Sequence, residues 1–390
     1  MADREHDLVV FGATGFTGGL TAEYLARHAP KQLRFAVAGR NRTKLEQLRG
    51  RLAAINPACA ELRLLDADVE QPSSIRALAE SAKVVVSTVG PYILYGEPLV
   101  AACAAAGSDY VDLTGEPEFV DLMWLRYHEQ AVQTGARIVH SCGFDSIPYD
   151  LGVLFTVALL PENASIHVDG FVRAGGGLSG GTYHSALHIM GRLRQAARVA
   201  HERREREAPP QRRFVKGAPG RPHSDSFAGG WVVPLPTIDP KTVLRSARAL
   251  DRYGPHFSYS HYLVVGRLPT AIGVSAGAGA MVALAQCKPT RDALLKLKDP
   301  GQGPSREQRE KAWFRVRFAG RGDGAQAATE VAGGDPGYGE TSKMLAESAL
   351  CLALDELPER AGQLTPAVAM GERLIERLRG AGIEFRALAR

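Results

Sequence analysis

With 390 residues, 45% hydrophobic and 23% charged, the chain has apolar surface for more than one core and is expected to form two domains. Five cysteines, none in a Cys-x-x-Cys pair, exclude a disulfide framework and a zinc ribbon and point to a reducing compartment. The net charge of +5 is gathered in one place, residues 191–221, which hold ten Lys or Arg against three Glu. That segment lacks interleaved aromatics and no zinc-finger or RNA-recognition pattern appears, so nucleic acid is not an expected partner.

The start, MADREHD, is charged and lacks the apolar stretch of a secretion signal. A cytoplasmic protein is the expectation. From Asp7 to about Ile147 short apolar runs (LVVFG, FAVAGR, LRLLDADV, KVVVSTVG, DYVDLTG, RIVHSCG) alternate with helical stretches (GGLTAEYLARH, NRTKLEQLRGRLAAI, SSIRALAES, EPLVAACAAAG, EFVDLMWLRYHEQAVQTG). Runs rich in Val, Ile and Leu and bounded by Gly or Pro read as strands covered on both faces, so this is a doubly wound α/β domain on a parallel sheet.

The first strand runs into GATGFTG, three glycines at a spacing of three. Behind a strand and at a helix start, such a triplet marks a dinucleotide site. Gly12 permits the turn, Gly15 lets the backbone approach a pyrophosphate, and Gly18 lets the helix pack on the strand. Ala13, Thr14, Phe16 and Thr17 fill the gaps beside the phosphates. An NAD-type site places an Asp or Glu at the end of the second strand; here Arg40 stands there, followed by Asn41 and Lys44. Cations at that place suit a 2′-phosphate, so the expected cofactor is NADP(H).

Ligands of parallel sheets bind at the carboxyl ends of the strands. Asp68 is thereby placed for the adenine, and Thr88, Val89, Gly90, Pro91 and Tyr92 for the middle of the cofactor. Cys142, Gly143, Asp145 and Ser146 form a polar cluster after the sixth strand, Ser146 also suiting an N-cap ahead of Ile147 and Pro148.

In the second half SIHVDGFVRA, HYLVVGRL and WFRVRFAGR read as strands of a mixed or antiparallel sheet, and residues 203–240, rich in Arg, Pro and Gly, as a long surface excursion. The basic segment 191–221 reads first as a solvated face, and alternatively as a docking patch for an acidic partner or an anionic membrane. Leu268 to Cys287 holds no charge, yet is mostly Ala and Gly; a buried helix or a lipid-facing groove is favoured over a span, with peripheral membrane contact left open. GETSKMLAESALCLALDEL and LTPAVAMGERLIERLRGAG read as two closing helices, the second capped by Thr365. No His-Glu-x-x-His pattern is present and no metal is expected. The expected domains are 1–155, binding the nucleotide, 156–340, covering the substrate, and 341–390, helices returning to the first.

GATGFTG, AGR, VGPY, DLTGE and CGFDSIPYDLG, in this order, resemble the saccharopine dehydrogenase-like reductases. GPSREQR, DPGYGETSKMLAESALCLA and LTPAVAMG resemble one subgroup more closely, the trans-acting enoyl reductases linked to polyketide-derived lipid and glycolipid synthesis. The resemblance implies an N-terminal NADP-binding Rossmann domain and a second α/β domain over the nicotinamide end. It also implies hydride transfer to an activated double bond of a lipid or carrier-bound intermediate. Peripheral contact with the inner face of the plasma membrane and a homodimer are left open. Reduction of such a bond needs donors for the developing enolate oxygen and a proton for the α-carbon. Backbone N–H groups around Gly143 and the hydroxyls of Ser146 or Tyr92 suit the oxygen, and Tyr92 is the expected proton donor, with Asp145 in the same cluster. Two other readings stay open: an oxidoreductase of amino-acid or imine substrates, and an NADPH-sensing or lipid-binding protein without turnover.

Overall fold

Each apolar run of the first part becomes a strand, and each amphipathic stretch a helix. The protein, a computed structural model, describes residues 4–175, 180–209, 213–296 and 304–389. In chain order it begins β1 (His6–Phe11), α1 (Phe16–His28), β2 (Phe35–Gly39), α2 (Arg42–Ile55), β3 (Arg63–Asp66), α3 (Pro72–Ser81) and β4 (Ala82–Ser87). Then come α4 (Tyr92–Tyr95), α5 (Glu97–Ala106), β5 (Asp109–Asp112), α6 (Pro117–Thr134) and β6 (Arg137–Val139). Next are α7 (Ile147–Val157), β7 (Ser165–Gly175), α8 (Gly180–Met190), α9 (Leu193–Arg206), β8 (Phe214–Gly217), β9 (His223–Asp225), β10 (Gly230–Pro234), α10 (Asp239–Ala249) and β11 (His256–Gly266). They are followed by α11 (Leu268–Gln286), α12 (Lys288–Leu295), α13 (Arg306–Glu310), β12 (Trp313–Gly322) and β13 (Ala325–Gly333). The chain closes with α14 (Gly339–Leu354), β14 (Gly362–Leu364), α15 (Pro366–Ala369), α16 (Gly371–Gly380) and β15 (Glu384–Ala387).

Two units form. The first holds the chain up to Phe144 and Gly337–Arg377; the second begins at Asp145 and takes in Pro304–Pro336 and the residues from Leu378. The first unit is a seven-stranded parallel sheet in the order β14-β6-β5-β4-β1-β2-β3. Six of its strands have the 3-2-1-4-5-6 order of dinucleotide-binding folds, whose switch point lies between β1 and β4. Leu8, Val9 and Val10 are fully buried, as strands covered on both faces require. Asn41 caps α2 by accepting from Lys44 N, and Gly107 and Gly135 end α5 and α6 at positive φ.

The second unit is built on the mixed sheet β15-β13-β12-β7-β11-β10-β9, with β8 also on β11. In β12, Phe314, Val316 and Phe318 are buried while Arg315 and Arg317 are half-exposed, the alternation of a strand with one covered face.

Four expectations are corrected. The chain leaves the first unit at Asp145, not at 155: α7 packs on β12 and β13, and a Cβ at Gly152 would lie 2.6 Å from Phe318 Cζ. The segment 341–390 is divided, because β15 pairs with β13 and so joins the second unit. Residues 203–240 are no bare excursion: β8 and β10 hydrogen-bond to β11 and β9 to β10, residues 210–212 lying outside the described ones. LTPAVAMGERLIERLRGAG is two helices, broken where Gly371 takes φ +52°.

Candidate functional site

β1 ends in the glycine turn, and the steric reasons for the first and third glycines can be read directly. Gly12 has φ +80°, and a Cβ there would lie 2.6 Å from Val89 Cγ2 and 2.8 Å from Thr88 Oγ1. A Cβ on Gly18 would run into the Gly12 carbonyl and lie 2.6 Å from Thr88 Oγ1. Gly15 is the exposed N-cap of α1 and brings no side chain to cap the helix's first N–H groups. This is the cradle that a diphosphate needs. Ala13 is fully buried, and Thr14 approaches Gly39. Phe16 sets its edge on Tyr338 at 4.7 Å, and the Thr17 carbonyl accepts from Thr21 Oγ1 and Ser342 Oγ. Within the first unit the start of α14 therefore closes over the glycine turn.

At the end of β2, Arg40, Asn41 and Lys44 are all exposed. Asn41 Oδ1 is taken by the cap on α2. Arg42 is tied down instead, donating to Leu64 O at 2.9 Å and lying 3.6 Å from Asp66 and 3.5 Å from Glu46. Arg40 and Lys44 thus make an exposed cationic corner one strand from the glycine turn. Asp68 is half-buried, its carboxylate accepting from Glu70 N in a tight turn.

Past β4, Thr88 N and Oγ1 both donate to Phe11 O, joining the two strand ends at the switch point. Val89 packs over Gly12, and the Gly90–Pro91 bond is cis. The hydroxyl of Tyr92 is not available to a substrate. The residue is 7% exposed, donates to Ser87 O at 3.0 Å and accepts from Leu113 N at 3.2 Å. Burial, with the Asp112 charge behind it, pushes this phenol well above its usual range. The expected proton donor is instead a brace between β4 and the loop after β5. Glu116 completes the brace, accepting from Tyr92 N and Ile93 N.

A buried pair went unread in the sequence. Asp112 Oδ2 lies 2.7 Å from His140 Nδ1 and accepts from Tyr110 Oη, while Oδ1 accepts from Thr114 N and Ser141 N. His140 Nε2 is buried without a hydrogen-bond partner among the described residues. The only signal was an Asp and a His at the ends of adjacent strands. Cys142 is fully buried, its thiol pointing at Val139 O and its N–H bonded to Asp112 O. Gly143 packs against Leu113 and Thr341, and Phe144 N donates to Thr341 Oγ1. The backbone donors on either side of Gly143 are therefore committed.

The second unit opens with Asp145 and Ser146. Burial, reinforced by the Asp239 carboxylate, pushes Asp145 up to about 7. Ser146, at φ +118°, caps nothing: its hydroxyl lies 3.1 Å from Thr242 Oγ1 and 3.4 Å from Asp239 Oδ1. The strained backbone turns it from α7 towards α10. Asp239 Oδ2 also accepts from Thr237 Oγ1 and lies 3.6 Å from His261 Nε2, whose ring is held through Nδ1 by Tyr259 Oη at 2.8 Å. Asp239 and His261 are 2% and 6% exposed. Two carboxyls in one poorly solvated cluster disfavour double ionisation, and a carboxyl that holds its proton near neutrality can act as a general acid.

Residues 8–139 match the saccharopine dehydrogenase NADP binding domain. A Mycobacterium tuberculosis protein provisionally named a trans-acting enoyl reductase is 41% identical over 415 residues, covering 98% of this chain and 97% of its own. The trans-acting enoyl reductase of Mycobacterium bovis is 38% identical, with the same coverage. Apo saccharopine dehydrogenase (L-Glu forming) from Saccharomyces cerevisiae superposes with a TM-score of 0.56 at 12% identity, over 98% of this chain and 100% of that one, a likeness of fold.

Proposed function

The chain belongs to the saccharopine dehydrogenase NADP-binding domain family, among the trans-acting enoyl reductases, and is an NADP-dependent oxidoreductase; from that premise we propose that it reduces the activated double bond of an enoyl lipid or polyketide-derived thioester, NADPH supplying the hydride. The residues present fit the cofactor. Gly12 and Gly15 with the α1 N-terminus would hold the diphosphate, and Arg40 and Lys44 the 2′-phosphate.

The single observation that carries the chemistry is the elevated Asp145. After hydride addition at the β-carbon, the α-carbon needs a proton, and Asp145 is a carboxyl that still holds one near pH 7. Burial keeps it protonated, and the Asp239 carboxylate adds to that. Ser146 positions the pair through its strained backbone and its bond to Thr242. Tyr92 and Glu116 act earlier in the chain, keeping the β4 loop in place beside the glycine turn.

The test is NADPH oxidation with a panel of trans-2-enoyl thioesters of increasing length. The wild-type protein turns over and Asp145→Asn loses at least tenfold in kcat with NADPH affinity unchanged. No turnover on any enoyl thioester, with amino-acid or imine substrates consumed instead, refutes the reading.

A further inference from the structure

In a folded unit α11 is out of place. It is long and apolar enough to cross a membrane, yet only 11% of its apolar window is buried. Ala271 and Ala285 are buried and Met281 and Val282 half-buried, while Leu268, Ile272, Val274 and Leu284 are 44%, 61%, 38% and 45% exposed. Apolar residues run round its whole circumference. A helix of that kind is stable inside protein or inside lipid, not in water. Gly273, Gly277 and Gly279 each weaken a helix by about 1 kcal/mol relative to Ala, and no described residue packs where their Cβ atoms would stand.

Its charges lie at its ends. Arg267 is exposed directly before it and Lys288 directly after. At the second end Arg291 donates to Ala285 O and packs beside Gly191, so the start of α9, with exposed Arg194 and Arg198, lies against that end. Gln286 Nε2 donates to Met190 O, tying the same end to α8. The other end continues from β11. Both ends are thus held by one folded unit, which a helix crossing a bilayer could not allow. A helix lying flat at the headgroup level meets all the observations: its apolar sides reach the acyl chains while cations at both ends meet lipid phosphates.

We propose that α11 docks the protein on an anionic lipid bilayer, lying in the plane of the headgroups, with Arg267 at one end and Lys288, Arg291 and Arg194 at the other on the lipid phosphates. This does not rest on the reductase reading, because docking requires no turnover.

The experiment is flotation of the full chain with phosphatidylglycerol or phosphatidylcholine vesicles. A polarity-sensitive fluorophore on Cys287, the exposed thiol beside four buried ones, reports insertion. The protein is expected to float with phosphatidylglycerol vesicles, several-fold less with phosphatidylcholine or in high salt, and the label to shift to the blue. Ile272→Asp with Val274→Asp should lose at least tenfold in partitioning, and Arg194→Glu with Lys288→Glu several-fold, both with unchanged circular dichroism and NADPH affinity. Failure to bind phosphatidylglycerol vesicles overturns the proposal, as does binding unaltered by the aspartates. So does a dimer in vesicle-free buffer that the aspartates dissociate, since a second copy would then cover the helix.

Discussion

Replacing Arg40 with aspartate tests the cofactor site at one charge. Arg42, two residues on and also exposed, is engaged by Leu64 O, Asp66 and Glu46, so Arg40 and Lys44 are the cations at the end of β2 that the 2′-phosphate would meet. A charge-assisted hydrogen bond to a phosphate contributes about 1.5–3 kcal/mol. Its loss weakens NADPH binding by about 12- to 140-fold, each 1.4 kcal/mol being tenfold. An added aspartate repels the 2′-phosphate and offers an acceptor to the ribose hydroxyls of NADH, so the measured ratio should sit at the upper end. Fluorescence titration with NADPH and NADH, at two salt concentrations, gives both constants. NADPH should weaken and lose salt dependence while NADH holds or tightens. Equal weakening of both cofactors would mean a damaged fold, and an unchanged NADPH constant would remove Arg40 from the site. Arg42→Ala is the control: it should lower stability and leave the NADPH-to-NADH ratio alone.

Three further outcomes follow from the same geometry. Asp145 interacts electrostatically with Asp239 and Tyr149, and its raised pKa means that kcat should fall as pH rises through about 7, a limb that Asp145→Asn abolishes. An acid protonated when folded and ionised when unfolded loses stability as pH climbs from its unfolded value, so Asp145→Asn should also raise the melting temperature at pH 8. Tyr92→Phe leaves Ser87 O and Leu113 N unpaired in the interior and should lower stability by about 1–3 kcal/mol with little change in kcat; a large kcat loss at unchanged stability would restore it as proton donor. Burial alone would raise Asp7, but hydrogen bonds from Arg34 and Lys83 outweigh it and hold the carboxyl well below the usual range. That stability is fully present above the unfolded value and shrinks as pH falls towards the depressed folded value, so Asp7→Asn should cost about 1–2 kcal/mol at pH 7 and progressively less below about pH 4 in urea melts.

Local rules made much of the first unit legible. Val-rich runs between Gly and Pro declared the parallel strands, and the turn of Gly12, Gly15 and Gly18 could be read because backbone sterics act within a few residues. Thr365 capped its helix as expected, accepting from Val368 N. Alternation in WFRVRF likewise announced a strand with one covered face. Where a side chain's partner is distant in sequence, the residues gave no sign of it. Tyr92 looked like a free phenol until Ser87, Leu113 and Glu116 folded around it. Ser146 looked like a cap, but Thr242 and Asp239, on another helix, claimed its hydroxyl. Asp145 had no reason to hold a proton until the fold buried it and brought Asp239 near, and His140 had no partner until β5 and β6 paired. The charge-free run at Leu268 fitted a buried helix as well as an exposed one, since composition sets how apolar a helix is and not what covers it. Periodicity and backbone chemistry are properties of neighbours along the chain; proton affinity, hydrogen-bond commitment and exposure depend on neighbours in space, which only the tertiary fold assembles.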